Sequence, residues 1–170
     1  MFLGSTLKPT SGPTLDASLV ECQRALQINP NLAVAEAMFA FSYSWRGDYD
    51  DAIEHAERAL RLSPRDTHSL GTFAYAVAEF GAGHYEQAAD WARKVTEVTP
   101  DFPAGWRYLA ASLAHIDRIE EAQLAANRLL QASIRDGISY SRAIFSRLPL
   151  ASGDFDDRVI NGLRKAGLPE

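Results

Sequence analysis

Three prolines set the frame of this chain. Pro30, Pro64 and Pro100 lie in the junctions Asn29-Pro30-Asn31, Ser63-Pro64-Arg65-Asp66 and Thr99-Pro100-Asp101, separated by 34 and then 36 residues. A period of that length is two short helices with their turns, a unit that cannot bury its apolar face alone and must stack on its own copies. A second signal recurs inside each period. Gly47-Asp48-Tyr49-Asp50-Asp51-Ala52 is echoed by Gly83-His84-Tyr85-Glu86-Gln87-Ala88 and by Asp117-Arg118-Ile119-Glu120-Glu121-Ala122.

Each echo reads as the turn inside a helical hairpin. Glycine ends the first helix in a left-handed conformation, and Asp48 is placed to cap the second. In the third copy Asp117 takes the glycine position; aspartate tolerates that conformation less well than glycine but better than most residues. At the junctions the prolines disfavour helix in the preceding residue, so Ser63 and Thr99 end their helices, and Asn31, Asp66 and Asp101 are placed to start the next.

Apolar residues keep helical spacing on both sides of the turns. Phe39, Tyr43, Tyr49, Ile53, Ala56 and Leu60 form the stripe of the first full repeat; Trp106, Leu109, Leu113, Ile119, Ala126 and Leu129 form that of the third. Small residues (Ala40, Ala52, Ala59, Ala88, Ala92, Ala110, Ala122) fall where paired helices must touch, and bulk there would push them apart. Alternating β-branched segments are absent from the sequence, which makes the fold class all-α.

Over Leu32 to Ile134 the pattern resembles the tetratricopeptide repeat (TPR) family, on small residues at Ala40, Ala52 and Ala59, aromatics at Tyr43 and Tyr49, and Pro64. The resemblance implies a right-handed superhelix of antiparallel hairpins, with repeats at about 32–65, 66–101 and 102–134. The second repeat carries two extra residues, placed around Phe80 to Ala82, which are expected to lengthen its first helix or its turn. Ahead of the full repeats, Leu15 to Ile28 has Ser18, Cys22, Ala25 and Pro30 at the spacing of a second helix, giving a half-repeat over 15–31 behind a partly ordered lead-in at 1–14. Either Met1 to Pro13 supplies the missing partner helix, or the chain is a part of something longer, and the second reading is the favoured expectation.

Beyond Ile134 the period fails. Ile138 to Leu148 reads as a shorter helix with a break at Pro149, and Phe155 to Ala166 as a final one, with Asp154 as cap, Phe155, Val159 and Leu163 on one face and Gly167 as terminator. Helical arrays need an end element with one apolar and one polar face, so 135–170 is expected to cap the stack. The ending Leu163-Arg164-Lys165-Ala166-Gly167-Leu168-Pro169, with Leu60-Arg61-Leu62-Ser63-Pro64 and Leu109-Ala110-Ala111-Ser112-Leu113-Ala114, is similar to the C-terminal repeat region of bacterial class III adenylate/guanylate cyclases and winged-helix regulators. That likeness implies a regulatory or interaction segment of a multidomain signalling protein.

Composition narrows the function classes. The 170 residues suffice for one domain with a real core. With 17 basic against 22 acidic residues the net charge is −5, and no basic run exceeds Arg164-Lys165, which argues against nucleic acid as a direct partner. Thr67 to Ala78 is too short and too polar to cross a bilayer, and Met1 to Pro13 lacks the apolar core of a signal peptide. Cys22 is the sole cysteine, which excludes an internal disulfide and a thiolate cluster and fits a reducing, cytoplasmic setting.

Chemistry finds no foothold in the sequence. His55, His68, His84 and His115 fall in different helices or turns and form no ligand pair on one helix face, so neither metal nor cofactor is expected. Asp48, Asp50 and Asp51 lack the spacing and distal glutamate of a calcium loop. Gly81-Ala82-Gly83 follows a helix rather than a strand, and Ser5, Ser11 and Ser44 sit in no nucleophile elbow. A cyclase's paired metal-binding aspartates would need a sheet to hold them. Cys22 reads as a small apolar residue, and the Glu54–Arg58 and Glu57–Arg61 pairs as a solvated helix face.

The family resemblance places first helices along a concave groove. By that analogy the inward positions are Phe41, Ser44 and Trp45; His68, Tyr75 and Glu79; and Arg107, Ala111 and His115. Aromatic and arginine side chains dominate interface energies when buried, which favours Trp45 and Arg107, whereas for Phe41 and Tyr75 packing against neighbouring helices stands level with ligand contact. The residues by which some relatives grip a C-terminal carboxylate are replaced by Ala37, Phe41, Thr72, Ala104 and Tyr108, so that clamp is absent. The leading expectation is a non-catalytic scaffold that binds a peptide or protein partner on its concave face. Its rival is a regulatory or self-association segment that pairs with further copies; a stand-alone enzyme comes last.

Overall fold

The computed structural model describes residues 15–64, 70–135 and 153–168. Helices are α1 (Leu15–Ile28), α2 (Ala33–Arg46), α3 (Tyr49–Leu62), α4 (Leu70–Ala82), α5 (Tyr85–Val98), α6 (Pro103–His115), α7 (Ile119–Arg135) and α8 (Gly153–Lys165), with no strand among the described residues. The fold is an all-helical TPR solenoid built from the hairpins α2–α3, α4–α5 and α6–α7, with α1 packed ahead of α2. The lead-in over 1–14, the side chain of Ser18, Asp66, His68 and the helix expected over 138–148 lie outside the described residues.

The three hairpin turns share one backbone design. Gly47, Gly83 and Asp117 adopt φ of 98°, 82° and 58°. The next amide then reaches back to a carbonyl five residues earlier: Asp48 to Tyr43 at 3.0 Å, His84 to Glu79 at 2.9 Å, Arg118 to Leu113 at 3.0 Å. These bonds satisfy carbonyls that the helix end would otherwise leave open. Asp117 therefore holds the left-handed geometry that glycine supplies elsewhere.

Small residues sit where hairpin partners meet. Ala40, Ala52, Ala88, Ala92, Ala110 and Ala122 are all 0% exposed, so the helices approach to backbone contact and no larger side chain has room. Ser63 and Thr99 end α3 and α5 as expected. The helix starts differ from expectation. Asp48 occupies the position before α3 but makes no side-chain cap; its carboxylate pairs instead with Arg46 Nε at 2.9 Å. Leu32 and Phe102, rather than Asn31 and Asp101, precede α2 and α6, and Pro103 opens α6 where a missing amide costs nothing.

The two extra residues of the second repeat do not lie around Phe80 to Ala82. α4 has 13 residues, as α6 has, and the Gly83-His84 turn repeats the geometry of Gly47-Asp48. The surplus therefore falls between Pro64 and the start of α4. Counting forward from the proline puts the second hairpin two residues out of register with the others; counting back from the turn restores it.

The final helix ends where Gly167 turns left-handed at φ 85°, with the Leu168 amide bonded to Leu163 O at 3.2 Å. Its face of Phe155, Val159 and Leu163 is buried, as its spacing indicated. Its location is different. In the array α4 rests on α3 and α6 on α5, whereas α8 lies along α6 and reaches the ends of α3 and α4. It covers a face of the stack instead of extending it.

Candidate functional site

Counting back from each left-handed residue lines up the first helices. Ten, six, three and two positions earlier stand Ala37, Phe41, Ser44 and Trp45 in α2; Phe73, Val77, Phe80 and Gly81 in α4; Arg107, Ala111, Ala114 and His115 in α6. Helical periodicity puts each set on one side, opposite the positions that meet the second helices. The expected residues of α2 and α6 fall in these columns. Those of α4 do not.

Tyr75 and Glu79 belong to the other side of α4: they match Phe41 and Trp45 in distance from the preceding proline but not in distance from the hairpin turn. The Tyr75 hydroxyl donates to Glu57 Oε1 of α3 at 3.3 Å, and its ring lies 4.6 Å from that of Trp91 in α5. Burial, reinforced by Glu79 and Glu57, pushes the Tyr75 phenol up to about 12. Glu79 is buried and its Oε2 meets His84 Nδ1 at 2.7 Å. Phe39 and Tyr43, the equivalents in α2, likewise stack on His55 of α3 at 4.8 and 5.3 Å. Val77 and Gly81 take the places assigned to Tyr75 and Glu79.

An aromatic row runs along the corrected columns. Trp45 stacks on Phe41 at 5.8 Å, Phe41 meets Phe73 at 5.4 Å, and Phe73 meets Phe102 at 5.0 Å and Tyr108 at 5.5 Å, both edge-on. Phe80 continues it with Tyr108 at 5.5 Å. Trp45 and Phe73 are half-buried and Phe102 is exposed, while Phe41 is buried beneath them. Ser44 is buried with its hydroxyl donating to Ala40 O at 2.8 Å, so it serves the helix rather than a ligand. Phe73 and Phe102 escaped the sequence reading, although the interval of Arg107 from its own turn, carried over to Gly83, would have found Phe73.

The α6 part of the face is covered by α8. His115 Nε2 donates to the Arg158 carbonyl at 2.8 Å, which fixes the ring tautomer, and the imidazole stacks on Tyr85 at 4.2 Å. Burial lowers the His115 pKa; the Arg158 carbonyl opposes that shift, while Lys165 and Arg158 add to it. Burial likewise lowers that of Arg107, against which Tyr108 and Asp156 of α8 act. Arg158 extends from α8 to donate to Gly81 O at 2.8 Å and to Tyr49 Oη at 2.6 Å. Gly162 lies so close to α6 that a Cβ there would stand 2.8 Å from Ala111 Cα.

Among the described residues no group of three or more His, Cys, Asp or Glu side chains is arranged to hold a metal. Nor is any described helix long and apolar enough to cross a membrane. The part of the face that α8 leaves uncovered, from Trp45 through Phe73 to Phe102, is aromatic.

Residues 46–113 match the family model of the tetratricopeptide repeat. A small glutamine-rich tetratricopeptide repeat-containing protein 2 from Mycosarcoma maydis is 29% identical over 105 residues, covering 62% of this chain and 29% of that protein. The cytochrome c-type biogenesis protein CycH of Rhizobium meliloti (strain 1021) is 28% identical over 126 residues, covering 74% and 33%. The chain thus spans about a third of the length of these curated relatives. Two solved structures share the fold: MamA, with a TM-score of 0.61 at 19% identity over 89% of this chain and 86% of that one, and TTC0263, a thermophilic TPR protein of Thermus thermophilus, with 0.60 at 18% over 88% and 91%.

Proposed function

We propose that this chain is a non-catalytic, cytoplasmic interaction module that binds a protein or peptide on the face shared by α2, α4 and α6. The aromatic row from Trp45 through Phe41 and Phe73 to Phe102 carries this reading, since it spans three hairpins and stays partly open to solvent. Aromatic anchors set in a supporting shell supply most of the energy of such interfaces. Stacked hairpins present such surfaces by construction.

The test is capture of partners by the immobilised chain, with retained proteins identified by mass spectrometry. Trp45→Ala and Phe73→Ala are expected to lose a defined subset of them while keeping the helical circular dichroism. Identical capture by folded variants and wild type would remove the aromatic row from the binding surface. A second reading, the regulatory end of a longer bacterial signalling protein, rests on the similarity of the Leu163 to Pro169 ending. The reading frame upstream of Met1 tests it, a cyclase or winged-helix domain there supporting it and a continued helical array opposing it.

A further inference from the structure

The last described helix is placed as a bound ligand would be. α8 does not occupy the next step of the stack, where a first helix would rest on α7; it lies across the α6 column and reaches back to α4 and α3. Its contacts combine the features of a docked helix. Phe155 is fully buried, with its ring edge-on to Phe80 at 5.9 Å and at 6.3 Å from Tyr108. Arg158 satisfies the Gly81 carbonyl, and its own carbonyl accepts from His115. Gly162 brings the helix to backbone contact with Ala111, and buried Asp156 faces the electrostatic field of Arg107.

We infer that α8 is an intramolecular occupant of the α4–α6 groove, and that the groove takes in trans an amphipathic helix built on the same template. The template is an aromatic residue at i, a carboxylate at i+1, a guanidinium at i+3, an aliphatic residue at i+4 and glycine at i+7, read from Phe155, Asp156, Arg158, Val159 and Gly162. Four of the five positions have a counterpart on the receiving side: the aromatic cluster around Phe80, Arg107, the Gly81 carbonyl with the Tyr49 hydroxyl, and Ala111; Val159 at the fifth is buried in the shared core. The glycine sets specificity, because any side chain there meets backbone atoms that cannot yield. An extended peptide would place these groups on alternating sides and could not satisfy the set.

Covalent attachment favours α8. A tethered occupant acts at an effective concentration of order millimolar, so a free helix of equal intrinsic affinity gains access only near that level. The groove is then divided: the α2–α4 end with Trp45 and Phe73 is open, and the α4–α6 end is conditional on displacing α8. This inference rests on the interaction-module reading above. It can fail separately, because the peptide assay below does not involve Trp45.

The probe is a fluorescein-labelled synthetic peptide of residues 153–168, titrated by anisotropy against the full wild-type chain and the full chain carrying Gly162→Leu. The substitution expels α8 from Ala111 in cis and leaves the receiving residues intact. Saturable binding to the variant, at least tenfold tighter than to wild type, is expected, together with at least tenfold weakening when the peptide carries Phe155→Ala. Equal binding to both chains, or none to a folded variant, would overturn the inference. So would collapse of the whole array in the Gly162→Leu chain, since α8 would then be a part of the core rather than an occupant. Loss of partner capture by Trp45→Ala alongside a negative peptide result would sink this inference and spare the interaction module.

Discussion

Arg158 of α8 donates through Nη2 to the hydroxyl of Tyr49 at 2.6 Å, joining residues 109 positions apart. The same guanidinium donates to Gly81 O at 2.8 Å and stands over the Tyr49 ring at 5.4 Å. Hydrogen bonds from charged groups contribute about 1.5–3 kcal/mol, and a carbonyl left without a partner adds its own desolvation cost. Arg158→Ala is expected to destabilise the chain by about 2–4 kcal/mol in urea titration. Tyr49→Phe should cost about 1 kcal/mol, and the double variant less than the sum. Strict additivity would mean that the two side chains do not act together.

Gly81 is a packing glycine. A Cβ there would stand 2.5 Å from Tyr49 Cε1 and 3.3 Å from Phe155 Cε2. Because Arg158 holds the Tyr49 ring, the ring has little freedom to move aside. Gly81→Ala should cost about 1–3 kcal/mol by overpacking. Repeating it in a Tyr49→Ala background should shrink the penalty, as read from denaturation midpoints.

Phe80 is fully buried where α4, α5, α6 and α8 meet, its ring 5.3 Å from Tyr85, 5.5 Å from Tyr108, and 5.9 Å from both His115 and Phe155. Truncation leaves a cavity that four helices would have to fill. Phe80→Ala is expected to lower stability by about 3–5 kcal/mol. A loss below about 1 kcal/mol would show that the site collapses freely.

His115 introduces a pH dependence. Burial lowers its folded pKa, so the unfolded chain takes up a proton more readily than the folded one. The stability of the neutral ring is full above its unfolded value of about 6.5 and is lost as pH falls through the lowered folded value. Thermal midpoints should therefore drop between about pH 7.5 and pH 5, and His115→Gln should flatten that slope. An unchanged slope would assign the acid sensitivity to other groups.

Asp117 offers a gain. At φ 58° it carries left-handed strain that Gly47 and Gly83 avoid in the equivalent turns. Asp117→Gly should raise stability by about 0.5–1 kcal/mol, offset in part by the added freedom of the unfolded chain. A fall in the denaturation midpoint would show that the aspartate side chain supports the turn.

Much of this architecture was legible because it is written in local chemistry. Proline junctions, glycine turns and buried alanines act within a few residues, and the hairpins follow from them. The face of the final helix was legible too, since Phe155, Val159 and Leu163 share one helical stripe. What local pattern did not carry was the receiving surface of α8, which assembles from Tyr49, Gly81 and His115, residues that meet only after the hairpins stack. The groove register of α4 failed for a different reason. Pro64 fixes the end of α3, while the helix that follows is fixed by its own turn at Gly83, and two additional residues separate those anchors. Helix starts were the least legible, because Leu32 and Phe102 enter their helices without a side-chain cap.

The position of α8 also orders events in time. A helical array built only from neighbour contacts can start folding at any repeat and spread. α8 has no such freedom, since its seat does not exist until α4 and α6 are aligned, and it is also the last described helix to leave the ribosome. Its docking is therefore a late, long-range closing step in a fold otherwise formed from contacts close in sequence. Until it occurs, the apolar seat around Phe80 and Ala111 lacks its own cover.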